Sequence, residues 1–188
     1  MPIDKRVMPK GAKCPENYDC VLLGCKEGYR PQLVRLGAEE KGLKYKNFEM
    51  TLGKTNYDPW YVQLNPQAYL PTMVVKPDNQ PITESAEIIK YMDDNFHGKK
   101  QLLHKYKSQQ LQRFDEFMQI HEAWDVEGVT FCGLSKNYII RSLAPLQFAS
   151  MMDAIKTNLK ENPGLKSVYG QKLASMSKLT QDCMDVQK

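Results

Sequence analysis

Two short motifs in the first half of the sequence have residue types that can bind a peptide-like ligand. The first is Leu70-Pro71, which follows a predicted helix and precedes a predicted strand at Thr72–Val75. Proline has no backbone N–H and therefore belongs at the first residue or the edge of a strand. A cis bond before Pro71 would turn the main-chain N–H and C=O of Leu70 outward, where they can pair with an extended peptide as an added strand does. The alternative interpretation is a proline that only ends a loop.

The second motif is Thr83-Glu84-Ser85, at the end of a predicted strand and the start of a predicted helix. A helix N-terminus has unpaired N–H groups and a partial positive charge, so it can bind a carboxylate with help from the Ser85 hydroxyl. Glu84 can bind a neighbouring ammonium group; the alternative is a plain N-cap serine with an acid in the first turn. Together the two motifs fit a peptide backbone and a free amino-acid head, which is the shape of γ-glutamyl-cysteinyl-glycine, glutathione.

The elements that position these motifs are predicted in the order βαβα-ββα. The first helix has Pro31 in its first turn and ends at Gly42. A second, short helix is predicted at Asp58-Pro59-Trp60, with Asp58 as its cap and Pro59 in its first turn. The strands are predicted at Cys20–Gly24, 44–50, Thr72–Val75 and from Ile82 and Thr83 onward, and the last helix of this half at Ser85–Asn95. A parallel first pair and an antiparallel closing hairpin make a thioredoxin-like α/β domain.

The second half is predicted to be all-α. The pattern is helical from Leu102 onward, where three- and four-residue steps connect Leu111, Phe114, Phe117, Met118 and His121. Pro145 is expected to start a helix that Asn162-Pro163-Gly164 stops, and a last helix is expected as far as Cys183. We therefore divide the chain into a flexible tail (1–17), a thioredoxin-like domain (18–96), a linker (97–101) and an all-α domain (102–188).

Charge and composition exclude several classes of function. The net charge of +4 is spread along the 188 residues, whereas nucleic-acid binders concentrate basic residues in a stripe. No apolar run reaches the roughly 18–20 residues of a membrane span, and the N-terminus lacks the apolar stretch of a secretory signal. The five cysteines match no zinc pattern. We expect a cytosolic protein with reduced thiols, no metal site, no membrane span and no nucleic-acid partner.

Three segments of the sequence resemble the cytosolic glutathione transferase superfamily. Residues 34–43 resemble its first-helix motif, residues 64–71 its loop before the third strand, and residues 82–91 its fourth strand and third helix. The resemblance implies that the Leu70 main chain, next to Pro71, holds the cysteinyl part of glutathione. It also implies that Glu84 and Ser85 hold the γ-glutamyl head, with Lys54 the nearest base for the glycine carboxylate. Residues 58–61 and 161–173 show a fainter resemblance to the branch that contains ganglioside-induced differentiation-associated protein.

The sequence departs from this family where the thiol is activated. A free thiol has a pKa of about 8.5, and the family usually stabilises the thiolate with a Tyr or Ser hydroxyl or uses a Cys. The usual Ser or Cys position falls on Gly28, and the usual Tyr position falls near Gly24. The nearest substitutes are Tyr29 and Cys25, in a loop that leads into a helix N-terminus, which favours a thiolate.

Three functions therefore remain open on the sequence. The leading hypothesis is a glutathione transferase-like enzyme that conjugates glutathione to an apolar electrophile, and the resemblance implies a homodimer. A second is a Cys25-dependent thiol transferase or dehydroascorbate reductase, and a third is a non-catalytic binding or scaffold module. The helical half is shorter than is usual in the family, which predicts either a shortened natural form or a fragment of a longer protein.

Overall fold

The computed structural model describes residues 8–97, 100–103 and 138–185, together with residues 113, 116, 119, 120 and 123. The chain divides into two compact units, Met1–Leu103 and His104–Lys188. None of the helices within these described ranges is long and apolar enough to cross a membrane.

The N-terminal unit contains a four-stranded sheet in the order β2-β1-β3-β4. The strands are β1 (Cys20–Gly24), β2 (Tyr45–Glu49), β3 (Thr72–Val75) and β4 (Gln80–Ile82). β1 and β2 are parallel, whereas β3 is antiparallel to both β1 and β4, which confirms the predicted thioredoxin-like arrangement. β4 begins two residues earlier than predicted, because the short turn after β3 pairs Val75 with Gln80.

Three helices pack around this sheet: α1 (Tyr29–Lys41), α2 (Pro59–Leu64) and α3 (Ser85–Asn95). α1 ends as predicted at Gly42, whose φ of 71° is the left-handed conformation that glycine adopts without strain. α2 has Pro59 at its first position, but the Asp58 side chain makes no capping bond. That part of the prediction is wrong because the Asp58 carboxylate instead accepts a hydrogen bond from Trp60 Nε1 at 3.3 Å.

The two faces of the sheet have separate hydrophobic cores. Successive residues of a strand point to opposite faces, so β1 contributes Cys20 and Leu22 to one core and Val21 and Leu23 to the other. All five β1 residues are buried because both faces are covered. The first core includes residues of α1 and α3, namely Val34, Ala38, Ile88 and Met92. The second includes Tyr61 and Leu64 of α2 together with Cys25, Met50 and Leu70.

Residues 8–17 differ from the flexible tail that the sequence predicts. Met8 and Ala12 are buried in the second core, and residues 10–12 form a short 3-10 helix. The main-chain N–H of Cys14 donates a hydrogen bond of 2.8 Å to the side chain of Asn79, in the turn after β3. The apolar surface of Met8 and Ala12, together with this hydrogen bond, holds the segment on the domain.

The described part of the C-terminal unit consists of two helices, α4 (Tyr138–Glu161) and α5 (Lys166–Asp185), with a 3-10 turn at Pro163–Leu165 between them. Phe148, Met151 and Ile155 of α4 and Tyr169 of α5 are buried. The all-α prediction is confirmed here, and α4 ends before Asn162 as predicted. The expected start at Pro145 is wrong, since α4 begins seven residues earlier and continues through the proline. The helical pattern predicted from Leu111 to His121 lies largely outside the described residues.

A buried ion pair fixes the chain where it leaves α3. Lys41 Nζ lies 2.7 Å from Asp93 Oδ1, and both side chains are more than nine-tenths buried. The same carboxylate accepts hydrogen bonds from the main-chain N–H groups of Leu102 at 2.8 Å and Leu103 at 3.1 Å. Burial alone raises the pKa of the Asp93 carboxyl, but the hydrogen bonds from Lys41, Leu102 and Leu103 outweigh it and hold the pKa below its usual value.

We expect Asp93→Asn to reduce the free energy of unfolding by about 3–5 kcal/mol, because it leaves the Lys41 ammonium buried without its counter-charge. Urea unfolding followed by the fluorescence of Trp60, in a Trp124→Phe background, measures this for the N-terminal unit. Since the folded pKa of Asp93 is depressed, its contribution should be complete above about pH 4 and lost as the pH falls through the folded pKa.

The matched control for this substitution is Asp94→Asn, at the exposed neighbouring position. It should change the free energy of unfolding by less than about 0.5 kcal/mol. Equal losses for the two variants would contradict the account of the buried pair.

Candidate functional site

The loop before β3 has the conformation that the sequence-based hypothesis required. The Leu70–Pro71 peptide bond is cis, and Pro71 is buried at the start of β3. Among the described residues, none forms a hydrogen bond with the main-chain N–H or C=O of Leu70. The backbone of Leu70 is therefore left with its hydrogen-bonding capacity unused, as an added peptide strand requires.

A buried network of hydrogen bonds holds this loop in place. Asn65, only 2% exposed, donates from Nδ2 to the carbonyl oxygen of Tyr69 at 2.9 Å and to Thr72 Oγ1 at 3.2 Å. The Tyr61 hydroxyl donates to the same Tyr69 oxygen at 2.6 Å and lies 2.8 Å from Thr72 Oγ1. Burial raises the pKa of Tyr61 to about 12, so the phenol keeps its proton at neutral pH and continues to donate.

Asn56 connects this loop with the loop that carries Lys54. Its buried side chain donates to the Ala68 carbonyl oxygen at 3.0 Å and accepts a bond of 2.7 Å from the main-chain N–H of Gly53. The Lys54 side chain itself is exposed and forms no hydrogen bond or ion pair within the described ranges. The structure thus connects the two loops but does not bring the Lys54 ammonium into contact with Leu70 or Ser85.

The N-terminus of α3 lacks a side-chain cap. Glu84 is the N-cap residue, but its side chain makes no capping bond and is exposed. Its φ of 53° lies in the left-handed region, which costs a non-glycine residue of order 1–3 kcal/mol and is typical of functional sites. Ser85 is the first residue of α3 and is 4% exposed. The first N–H groups of α3 consequently remain available to a carboxylate.

Arg30, which the sequence did not indicate as a site residue, reaches this helix terminus. Its Nη1 lies 3.5 Å from Ser85 Oγ, at the limit of a hydrogen bond. The guanidinium forms no ion pair with a carboxylate among the described residues. A positive charge therefore lies beside the uncapped N-terminus of α3. The contact joins residues 55 positions apart, which is why no local pattern in the sequence indicated it.

The two candidate groups for thiol activation have different surroundings. Cys25 is 3% exposed, and burial raises the pKa of its thiol, although a hydrogen bond from the main-chain N–H of Gly28 opposes this in part. The neutral thiol is therefore favoured, against the expectation that this loop stabilises a thiolate. Tyr29, the first residue of α1, is 44% exposed and directly precedes Arg30.

No site for a metal ion is apparent in the described ranges, where groups of three or more His, Cys, Asp or Glu side chains in suitable positions are absent.

Residues 31–95 match the family model described as glutathione S-transferase, N-terminal domain. The matched segment contains the loop before β3 and the N-terminus of α3. Residues 31–95 of the N-terminal unit are thus similar to the N-terminal domain of glutathione S-transferases. The resemblance to the glutathione transferase superfamily is thereby confirmed. A search of curated proteins gave no significant match.

Solved structures with the same fold include glutathione complexes. Ure2p in complex with glutathione has a TM-score of 0.54 at 15% identity, over 78% of this chain and 67% of that one. Rice GST1 in complex with glutathione has a TM-score of 0.51 at 21% identity, over 77% and 64%. The glutathione transferase URE2P6 from Phanerochaete chrysosporium, with oxidized glutathione, has a TM-score of 0.55 at 12% identity, over 90% and 98%. At these identities the similarity establishes the fold. The chain covers about two thirds of the length of the first two.

We expect Asn65→Ala to reduce the free energy of unfolding by about 2 kcal/mol, because buried partners lose their hydrogen bonds. It should also weaken any binding that uses the main chain of Leu70. The control is Gln67→Ala, since the Gln67 side chain is exposed and only its main-chain N–H contacts Asn65. Urea unfolding checks the first effect. A stability for Asn65→Ala equal to that of Gln67→Ala would show that the network does not hold the loop.

Proposed function

We propose that this chain binds glutathione on its N-terminal unit and conjugates it to an apolar electrophile. The observation that carries the proposal is the pairing of two complementary binding groups in one small domain. One is the unpaired main chain of Leu70, and the other is the uncapped N-terminus of α3 with Ser85 and Arg30 beside it. Glutathione has a peptide backbone and a free amino-acid head that fit these two groups. The family match and the glutathione-bound structural neighbours support the same ligand.

Each part of glutathione has a proposed partner. The cysteinyl main chain pairs with the N–H and C=O of Leu70, next to the cis Pro71. The α-carboxylate of the γ-glutamyl head accepts hydrogen bonds from the Ser85 hydroxyl and the first N–H groups of α3, and its ammonium group pairs with Glu84. Lys54, on the loop that Asn56 connects to the Leu70 loop, is the proposed partner of the glycine carboxylate.

Arg30 extends this assignment beyond what the sequence indicated. Its guanidinium lies at Ser85, where the γ-glutamyl carboxylate is proposed to bind, and no described acid neutralises it. A hydrogen bond to a charged group contributes about 1.5–3 kcal/mol, so Arg30 and Ser85 together provide a strong anchor. The partial positive charge at the start of α3 adds to the same attraction.

The proposed reaction needs the glutathione sulfur as a thiolate. The thiol proton leaves to solvent, the sulfur lone pair forms a bond to the electrophilic carbon, and the leaving group departs with its electron pair. Lowering the thiol pKa by two units requires about 2.7 kcal/mol of differential stabilisation. Tyr29 is the proposed hydrogen-bond donor, because it is exposed at the N-terminus of α1, next to Arg30. The buried Cys25, favoured as a neutral thiol, gives the thiol transferase alternative less support.

A homodimer and a cytosolic location remain predictions from the family resemblance and the sequence.

Calorimetric titration with glutathione tests the anchor at α3. We expect Ser85→Ala and Arg30→Gln each to raise the Kd about tenfold or more, through the loss of a charge-assisted hydrogen bond. Cysteinyl-glycine lacks the γ-glutamyl head, so both variants should bind it as weakly as the wild-type chain does. The control is Lys90→Gln, which removes an exposed charge from the same helix without touching its N-terminus.

An unchanged Kd for both Ser85→Ala and Arg30→Gln would remove this helix terminus from the site. Failure of the wild-type chain to bind glutathione at millimolar concentration would end the proposal as a whole.

Tyr29→Phe tests the proposed chemistry apart from binding. It should lower kcat with a generic aryl halide by about 10²-fold, since a donor that acts on the thiolate contributes up to about 2.7 kcal/mol, while the Kd for glutathione stays within twofold. Steady-state kinetics over a pH series provide the measurement, and the variant's profile should shift to higher pH. If turnover does not respond to Tyr29→Phe, another group activates the thiol. If the wild-type chain shows no turnover, the conjugation reaction is excluded and the non-catalytic binding module is favoured.

A further inference from the structure

We infer that Cys25 and Pro31 jointly exclude any side chain from position 28, so that no hydroxyl or thiol at this position can activate glutathione. Cys25 is then a positioning residue that keeps position 28 as bare main chain. The functional part of this inference rests on the proposed glutathione site. Its steric part concerns the loop from Cys25 to Pro31 alone.

The backbone of Gly28 does not itself require glycine. Its φ of −75° and ψ of 126° are extended values that any residue adopts. The requirement comes from the space around it. A Cβ built on Gly28 would lie 2.7 Å from Cys25 Sγ, 2.8 Å from Pro31 Cγ and 2.9 Å from Pro31 Cδ. All three distances are shorter than the contact distance of non-bonded carbon atoms, which is about 3.5–4.0 Å.

Pro31 obstructs position 28 because of its place in α1. Gly28 is the N-cap of this helix, and Tyr29, Arg30 and Pro31 are its first three residues. A serine at an N-cap normally accepts a hydrogen bond from the N–H of the second or third residue. Proline has no N–H, and its ring carbons lie where a side chain at position 28 would project. A side chain at position 28 therefore meets carbon atoms and loses the donor of the third residue.

Cys25 closes the other side of this space. Its thiol is 3% exposed and packs in the core cluster that also contains Tyr61, Leu64 and Leu70. Moving the sulfur aside would disturb this core. A side chain at position 28 therefore requires Cys25 or Pro31 to shift, which should destabilise the loop.

The consequence for function concerns the source of any hydrogen bond to the glutathione sulfur. The resemblance to the glutathione transferase superfamily implies that relatives with Ser or Cys at the corresponding position activate the thiol from there. In this chain the nearest hydroxyl along the loop is that of Tyr29. The loop therefore excludes thiol activation from position 28. The activating group has to be Tyr29 or a group outside this loop.

Thermal unfolding of the intact chain tests the steric part. Gly28→Ala should lower the Tm by about 5 °C or more in the wild-type background. In the Cys25→Ala/Pro31→Ala background, the same change should lower it by less than half as much. Gly37→Ala is the control within α1, because its Cβ would make only ordinary contacts of 3.5–3.8 Å, and it should cause no loss.

Comparison of the wild-type and Cys25→Ala/Pro31→Ala backgrounds still tests the steric part if Gly28→Ala alone does not fold. If Gly28→Ala fails to fold alone but folds with Cys25→Ala/Pro31→Ala, the inference is supported. An unchanged Tm for Gly28→Ala, or an equal loss in the two backgrounds, overturns it.

The functional part is tested in the Cys25→Ala/Pro31→Ala background by comparing Gly28→Ser with Gly28→Ala. The ultraviolet absorbance of the thiolate, followed against pH with glutathione bound, should give an apparent pKa about one unit lower for Gly28→Ser, a tenfold difference in ionisation. Equal values would show that residue 28 does not face the sulfur. If the wild-type chain does not bind glutathione, the proposed function fails, whereas the Tm comparison still decides the steric part.

Discussion

The candidate site depends first on the buried amide of Asn65. A buried polar side chain has to have its hydrogen bonds satisfied, because an unpaired group costs about 1–3 kcal/mol. Asn65 satisfies this by donating to the oxygens of Tyr69 and Thr72 and accepting from the N–H of Gln67. The polar atoms of this network are thus paired within the domain, while none of the described residues forms a hydrogen bond with the main chain of Leu70, the proposed partner of the ligand.

Much of the fold could be predicted because it follows from local sequence rules. The uniform burial of Cys20–Gly24 and the stop at Gly42 follow from apolar runs and from the conformational freedom of glycine. Local rules failed at Asp58, whose carboxylate bonds to Trp60 in place of capping α2, and at Pro145, which α4 passes through. At Asp58 the helix start was correct and only the capping bond was wrong, whereas at Pro145 the helix start itself was wrong.

The contacts that the sequence did not reveal, in the site and elsewhere in the N-terminal unit, join polar side chains that lie far apart in the chain. Arg30 and Ser85 are 55 residues apart, and Lys41 and Asp93 are 52 apart. Such pairs leave no periodic pattern, because the sequence does not distinguish an arginine or aspartate that has a distant partner from one that is exposed to solvent. The obstruction at Gly28 is similar, since a glycine before a helix is common and only the positions of Cys25 and Pro31 show why it is needed.

Residues 31–95 match the glutathione S-transferase N-terminal domain, and the proposed site combines groups for holding glutathione with an altered set for activating its thiol. The central claim is that the ligand lies between Leu70 and Ser85. A crystal structure of the intact chain grown with millimolar glutathione tests it most directly. The account predicts the cysteinyl main chain paired with the N–H and C=O of Leu70, and the γ-glutamyl carboxylate at Ser85 and Arg30. Glutathione bound elsewhere, or absent at that concentration, would contradict it.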